Sequence, residues 1–104
     1  MEINDIKEKL LPDVRNYLDI TWEDDAGDKK ICGTIARGIS AINAKGGAEF
    51  DYTEEALPRS LLLQYVLYER ENALDDFWRN YKPDIIGLQI REKVRRYAEK
   101  EAEL

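Results

Sequence analysis

Acidic residues over positions 23–28 are the first stretch of this chain that could do chemistry. A calcium-binding EF-hand loop needs oxygen ligands at alternating positions, a glycine at the sixth position and a bidentate acid at the twelfth. Counted from Asp24, the sixth residue is Lys29 and the twelfth is Ile35. The spacing fails, so we expect no metal site. Thr21 followed by Asp24 resembles a capping box, and the acids suit the start of a helix.

Histidine is absent from the chain, and cysteine occurs once, as Cys32. This composition argues against His-based triads, histidine metal ligands and cysteine zinc sites. Gly46-Gly47 is not followed by the Gly-Lys-Ser/Thr of a phosphate-binding loop. Pairs of carboxylates are frequent, but that is expected of a chain with 22 acids. We therefore expect no enzymatic activity and no cofactor, and we expect Cys32 to be a small buried residue.

A basic strip near the C-terminus is the second group of reactive side chains. Its candidate partner-binding residues are Arg91, Lys93, Arg95, Arg96, Tyr97 and Lys100. Two interpretations stay open. The strip is either a solvated helix end with internal pairs, such as Glu92 with Arg96 at i,i+4 spacing, or a surface that touches an acidic partner or DNA.

The composition of the whole chain limits the classes of protein to which it can belong. A length of 104 residues predicts one domain, and 43% hydrophobic with 37% charged residues indicates a folded protein with a charged exterior. The net charge of −6 disfavours general binding to nucleic acid, where cations replace counterions. No apolar run approaches the roughly 18 residues of a membrane span. The start Met1–Asp5 lacks signal-peptide features, so we expect a cytosolic protein.

Hydrophobic periodicity predicts an all-α fold, a small bundle of about four helices in a single domain over residues 1–104. The bundle is expected to form around a long central helix, about 57–81. The first half of this stretch is apolar almost all round, and the second half narrows to one stripe. Pro58 suits its first turn, where the missing N–H is not needed.

The N-terminal segment, residues 1–18, is predicted to be helical and kinked at Pro12. The proline ring disfavours helical angles at Leu11, so we expect either a kink or two short helices, with Pro12 at the first position of the second. Two roles stay open for this segment. It either packs on the domain or is an arm that docks on a neighbouring subunit.

A second helix is predicted from a start within residues 22–28 to about Ala44. Gly33 and Gly38 inside it weaken the helix but permit close approach of a neighbour. The pair Gly46-Gly47 is expected to end it, because glycine readily adopts the left-handed conformation of a helix stop.

Two further elements follow from the same patterns. A loop over 46–57, in which a short extended piece is possible, connects the second helix to the central one. A last helix over about 84–101 ends in the charged segment 91–104, in which the basic strip lies.

Seven segments of the chain together resemble a known family in their order and spacing. They are Ile20–Trp22, Asp28–Ile31, Ile35–Ile39, Asn43–Gly47, Leu57–Leu62, Tyr65–Arg70 and Asn72–Phe77. This layout, over roughly residues 14–95, is similar to that of the small head–tail connector proteins of tailed bacteriophages and prophages, also called head completion or adaptor proteins. The likeness lies in order, length and helix layout and includes no catalytic signature.

The resemblance implies a structural protein that forms a homo-oligomeric ring beneath the portal and extends the DNA channel. Its implied partners are the portal protein, a stopper or tail-completion protein, and DNA that passes without sequence-specific binding. Its implied location is the head–tail junction of the virion, after assembly in the host cytoplasm. By position, Arg91–Leu104 would contact the portal. The loop residues that would face the channel or the next ring are Gly46, Gly47, Glu49, Phe50, Asp51 and Tyr52.

The acidic composition is compatible with this function and with one alternative. Like charges do not adhere, so an acidic channel wall would let DNA slide. The alternative is a small acidic helical binding or regulatory protein that occupies a basic site on its partner.

Overall fold

The computed structural model describes residues 3–22 and 24–103. Its helices, in chain order, are α1 (Ile3–Asp5), a π-helical turn (Ile6–Leu10), α2 (Leu11–Tyr17), α3 (Asp25–Gly46), α4 (Leu57–Arg70), α5 (Leu74–Asn80) and α6 (Lys82–Glu103). These two ranges contain no strand, which confirms the predicted small all-α bundle. Residues 1 and 2 of the predicted N-terminal segment and Leu104 of the charged end lie outside the described residues.

The end of α3 follows the predicted signal, and its start lies within the predicted range, but the cap is Asp24 and not Thr21 of the expected capping box. The Asp24 side chain caps the helix by accepting a hydrogen bond of 3.2 Å from the backbone N–H of Ala26. Gly47 follows the last turn with a φ of 81°, in the left-handed region, and its N–H donates to the carbonyl of Asn43 at 2.9 Å. Asp28, in the first turn of α3, forms an ion pair of 3.3 Å with Arg15 of α2. The acidic run therefore starts a helix, as expected.

The prediction of a single long central helix over 57–81 is wrong. The chain leaves helical geometry after Arg70, Asn72 has a φ of 57°, and α5 begins at Leu74. Asparagine tolerates this left-handed conformation better than most residues, and Ala73 N–H donates to the carbonyl of Tyr68 at 2.8 Å, which closes the helix end. Two shorter helices, α4 and α5, therefore replace the long one.

The break after α4 is what lets the aromatic residues of α5 pack against α4. The ring centroids of Phe77 and Tyr65 lie 5.5 Å apart. In one straight helix, the 12-residue separation of these positions would place them about 18 Å apart. Phe77 is fully buried as a result.

The N-terminal segment consists of short helical elements, which agrees with one of the two expected outcomes, although α2 begins one residue before Pro12. Pro12 is the second residue of α2, and Leu11 keeps helical angles, with φ −56° and ψ −46°. The prediction that Leu11 leaves the helical region is therefore wrong. The wider π-helical turn just before α2 precedes the proline, with a φ of −103° at Leu10. The side chains of Ile6, Leu10 and Val14 are buried, so the segment packs on the chain's own helices.

The core lies along the seam between α3 and α4, where Gly38 brings the two helices close together. A Cβ atom at Gly38 would lie 2.8 Å from side-chain carbons of Leu62 and of Tyr65. The prediction that glycine permits close approach is confirmed for Gly38. A Cβ at Gly33 would come near only Arg37, a side chain of the same helix.

The molecule is elongated, with extents of 54 × 29 × 19 Å. Its radius of gyration is 15.1 Å, against about 13 Å for a compact chain of this length. The predicted last helix is confirmed and slightly longer than expected, and the second half of α6 contributes to this elongation. None of the described helices is long and apolar enough to cross a membrane.

Candidate functional site

The first half of α6 is fixed to the body of the molecule. Ile85 and Leu88 are buried, and Gln89 donates a hydrogen bond of 2.8 Å to the carbonyl of Lys45 at the end of α3. Every residue of α6 from 93 to 103 is exposed. Arg96 still reaches the bundle, because its guanidinium donates a hydrogen bond to the carbonyl of Gly47. Such a helical segment is roughly 16 Å long. The second half of α6 is therefore accessible to a partner from several sides.

Four large apolar side chains form one stripe along the outer face of α6, which we call the exposed stripe. They are Ile86, Ile90, Val94 and Tyr97, with exposed fractions of 42%, 56%, 62% and 67%. Their spacing of four, four and three residues places them on one face of the helix. Ile85 and Leu88 lie on the other face of the same helix and are buried.

The predicted basic strip is exposed along its whole length but divides between two faces. Lys93 and Lys100 lie one helical turn before and after Tyr97, and Arg91 lies one turn before Val94. These three cations flank the exposed stripe and form no ion pair with any other described residue. Arg95 and Arg96 lie on the side of the helix that faces Glu92. The structure therefore places four of the six predicted residues on or beside the stripe, Tyr97 among them, and assigns the two arginines to a different contact.

Glu92 is a buried carboxylate that sequence reasoning did not identify as part of the core. It is 7% exposed, and it accepts hydrogen bonds from Arg95 and, at 3.2 Å, from Nε of Arg96. The hydrogen bonds from Arg95, followed by the charges of both arginines, hold the pKa of Glu92 below its ordinary value. The predicted i,i+4 pair of Glu92 with Arg96 is thus confirmed. It lies at the end of the buried part of α6 and stiffens the helix there.

The loop predicted to face the channel or the next ring turns its aromatic residues inward. Tyr52 is 1% exposed, and its hydroxyl donates to Oδ1 of Asn43 at 2.6 Å. Phe50 is half-buried, and its N–H donates to the same oxygen at 3.2 Å. Burial raises the pKa of the Tyr52 phenol. Asn43, which sequence reasoning did not single out as an anchor, therefore ties the loop to α3.

Of the six loop candidates, only Gly47, Glu49 and Asp51 present exposed surface. Gly46 is buried because the Phe50 ring lies over it, 2.5 Å from where a Cβ would be. The alternation of aromatic and acidic residues in this loop was visible in the sequence. The packing of both aromatic side chains on the chain itself was not, because residues from α3 supply their contacts.

The remaining candidates for chemistry are poorly suited to catalysis. Cys32 is partly buried, and burial, followed by the charge of Asp28, raises the pKa of its thiol. A thiol that stays protonated is a weak nucleophile. Within residues 3–22 and 24–103, no three His, Cys, Asp or Glu side chains lie close enough together to hold a metal ion. The exposed stripe is therefore the best candidate for a functional surface.

Comparison with known proteins identified no relative of this chain. No family model, no curated protein and no solved structure matches the chain. The candidate site is therefore defined by the geometry of α6 alone, and its function is argued from that geometry and from the order of the sequence segments.

Proposed function

We propose that this protein is a structural head–tail connector of a tailed bacteriophage or prophage. In this proposal it forms a ring beneath the portal, extends the DNA channel, joins the head to a stopper or tail-completion protein, and contacts the portal through α6. Two observations support it. The sequence segments from Ile20 to Phe77 resemble that family in order and spacing, and α6 presents an apolar stripe with no partner among the described residues.

The exposed stripe is the observation that carries a role in assembly. Single exposed apolar residues are common on protein surfaces, but four consecutive members of one helical stripe are not. Anchors at i, i+4 and about i+7 are the pattern by which an amphipathic helix binds a hydrophobic groove. Tyrosine is also enriched at the centre of such interfaces. The stripe therefore has the features of a binding surface for a partner protein.

The charges beside the stripe indicate the chemistry of the groove that would receive it. Arg91, Lys93 and Lys100 flank the apolar residues, so an apolar groove with acidic residues at its rim would be complementary. The whole chain is acidic, with a net charge of −6, which suits a protein that lines the path of DNA without adhering to it.

Co-sedimentation of the purified protein with portal particles from the same genome tests this proposal. The pellet is imaged for an added ring. A double variant, Ile90→Ala with Val94→Ala, removes the centre of the stripe, and we expect it to weaken portal binding by about tenfold or more. Glu99→Gln, on the opposite face of the same helix, is the matched control and should bind like the unmodified protein.

The possible outcomes separate the function from the surface assigned to it. No binding of the unmodified protein at micromolar concentration, to portals or to filled heads, would overturn the connector proposal. The regulatory alternative would then lead. Equal binding by the double variant and the control would instead show that α6 is not the portal contact.

A further inference from the structure

A basic cleft lies between α3 and α4, away from α6. Its volume is about 420 Å³, and we name it the basic cleft after the four cations that line it, Lys29, Lys30, Arg37 and Arg70. The floor is open because Gly33 has no side chain there. Four of the 16 Lys and Arg residues of an acidic chain thus meet at one concave surface.

Most of the positive charge in the basic cleft is not neutralised by the chain itself. Arg37 forms an ion pair of 2.8 Å with Glu69 and also donates to the Thr34 hydroxyl at 3.1 Å. Across the described ranges, Lys29, Lys30 and Arg70 form no ion pair. Concave surfaces lined by one sign of charge attract ligands of the other sign. The cleft is therefore suited to an anionic group.

Glu69 indicates what kind of anion would fit. Its Oε1 atom accepts from Arg37, but its Oε2 atom is buried and has no hydrogen-bond partner. A buried acceptor of this kind needs a donor. An acidic peptide segment could supply both a backbone N–H for Glu69 and carboxylates for the cations. A DNA backbone carries no such donor and would leave this oxygen of Glu69 unsatisfied.

The chain itself contains an acidic segment of this kind, the loop 48–56, which we call the acidic loop. It has four exposed acids, Glu49, Asp51, Glu54 and Glu55, and no Lys or Arg. It is also held in shape, because Asp51 accepts from both the N–H and the hydroxyl of Thr53, at 2.9 and 2.6 Å. A segment that is already ordered loses little entropy on binding.

The basic cleft and the acidic loop lie toward opposite ends of α3, so a chain cannot pair them with each other. Lys30 lies near the start of this helix, and the loop follows its end at Gly46. The 16 residues between these positions correspond to about 24 Å of helix. Contact between the two surfaces therefore requires two copies, and it is head-to-tail because each copy contributes a different surface.

We propose that the basic cleft receives the acidic loop of a second copy of this chain, with Lys29, Lys30 and Arg70 facing the carboxylates of that loop. Repetition of this contact closes into a ring if the rotation between copies allows it. The inference rests on the ring of the proposed function and names the surfaces that build it.

Chemical cross-linking of the purified protein, without portal, tests the contact directly. Equal amounts of ¹⁴N and ¹⁵N protein are mixed at millimolar concentration and treated with a carbodiimide, which joins lysine amines to nearby carboxylates. Mass spectrometry then identifies linked peptides of mixed isotope, which must come from two copies. We expect links from Lys29 or Lys30 to Glu49, Asp51, Glu54 or Glu55. Mixed links only at other positions, or none at all, would overturn the proposal.

Charge reversal gives a second test that a folding defect cannot imitate. One variant carries Lys30→Glu with Arg70→Glu, and another carries Glu54→Lys with Glu55→Lys. We expect each alone to reduce the yield of oligomers in sedimentation by about tenfold. A mixture of the two should recover association, because each reversed surface then meets its complement. Lys82→Glu, at the exposed start of α6, is the control and should self-associate normally.

Lack of recovery in the mixture, or normal association of either reversed variant alone, would overturn the proposed contact. The result is independent of the portal experiment. Self-association through these surfaces with no binding to portals would overturn the connector function and leave the contact in place. Portal-bound rings without these links would support the connector function and overturn the proposed contact.

Discussion

The two longest helices, α3 and α6, have the same length of 22 residues but very different surroundings. Seven residues of α3 are buried, spread from Ile31 to Gly46. Only three residues of α6 are buried, and all of them lie between Ile85 and Glu92. Both sequences carry apolar residues at helical spacing. An amphipathic pattern therefore predicts a helix and an apolar face, but the neighbouring elements determine whether that face is buried.

The physical difference between the two helices is the presence of a surface opposite each apolar face. Along α3, Gly38 lets α4 approach until side chains of Leu62 and Tyr65 meet the helix backbone. The second half of α6 is joined to the bundle by a hydrogen bond from Arg96 to the carbonyl of Gly47, but no described element covers the exposed stripe. The exposed stripe is therefore apolar surface available for a partner, whereas the apolar face of α3 already forms the core.

Removing apolar volume from α3 should produce the largest effect. Ile35 is fully buried, so Ile35→Ala leaves a cavity and should lower the free energy of unfolding by about 2–5 kcal/mol. Ile90→Ala makes the same chemical change on α6, and it should change that free energy by less than about 0.5 kcal/mol. Urea denaturation of both variants measures the difference. Equal losses would contradict the contrast between the two helices.

Adding a methyl group to each helix tests the same contrast in the opposite direction. Gly38→Ala would place a Cβ against Leu62 and Tyr65 and should destabilise the protein by about 1–3 kcal/mol. No atom lies within 4 Å of a Cβ at Gly87 in α6. Gly87→Ala should therefore stabilise the protein by up to about 1 kcal/mol, through helix propensity. Thermal unfolding of both variants would show opposite shifts, and a stabilised Gly38→Ala variant would contradict the close approach of α3 and α4.

Acid should weaken the ion pairs that Glu92 forms with Arg95 and Arg96. Hydrogen bonds from Arg95 lower the pKa of Glu92. A lowered folded-state pKa contributes stability that is fully present above the ordinary value of about 4.3 and is lost as the pH falls through the folded-state value. Glu92→Gln should thus be less stable than the unmodified protein at neutral pH, and the difference should shrink in acid.

Urea denaturation of the two proteins near neutral pH and well below the ordinary glutamate pKa measures this difference. Glu99→Gln is the control, since this exposed carboxylate pairs with the same Arg95 but lies in the solvated half of α6. A stability difference for Glu92→Gln that stays constant with pH would show that the ion pair does not contribute at this point.

The smallest effect on stability should come from the exposed stripe itself. The double variant Ile90→Ala with Val94→Ala should unfold within about 0.5 kcal/mol of the unmodified protein, because both side chains are mostly exposed and alanine favours helix. Its loss of portal binding would then report on the interface and not on folding. A large loss of stability would mean that the stripe already serves the fold.

Sequence reasoning located the elements better than it located their exposed surfaces. The start of α3 within residues 22–28, its end at Gly47 and the pairing of Glu92 with Arg96 all depend on residues close together in the chain. The inward packing of Tyr52 depends on Asn43, which belongs to another element. The basic cleft was missed for the same reason, because Arg70 joins the α3 cations only after α4 has packed on α3.

The sequence by itself determined the all-α class, the acidic start and the glycine stop of α3, and the position of the last helix. Those features follow from hydrogen bonds and side-chain spacing within a few turns of one chain segment. Tertiary structure alone decided that the chain breaks at Asn72 instead of continuing as one helix, that Glu92 is buried and that the exposed stripe is left open. These outcomes depend on which distant surfaces meet, because burial stabilises whichever face finds a complementary neighbour.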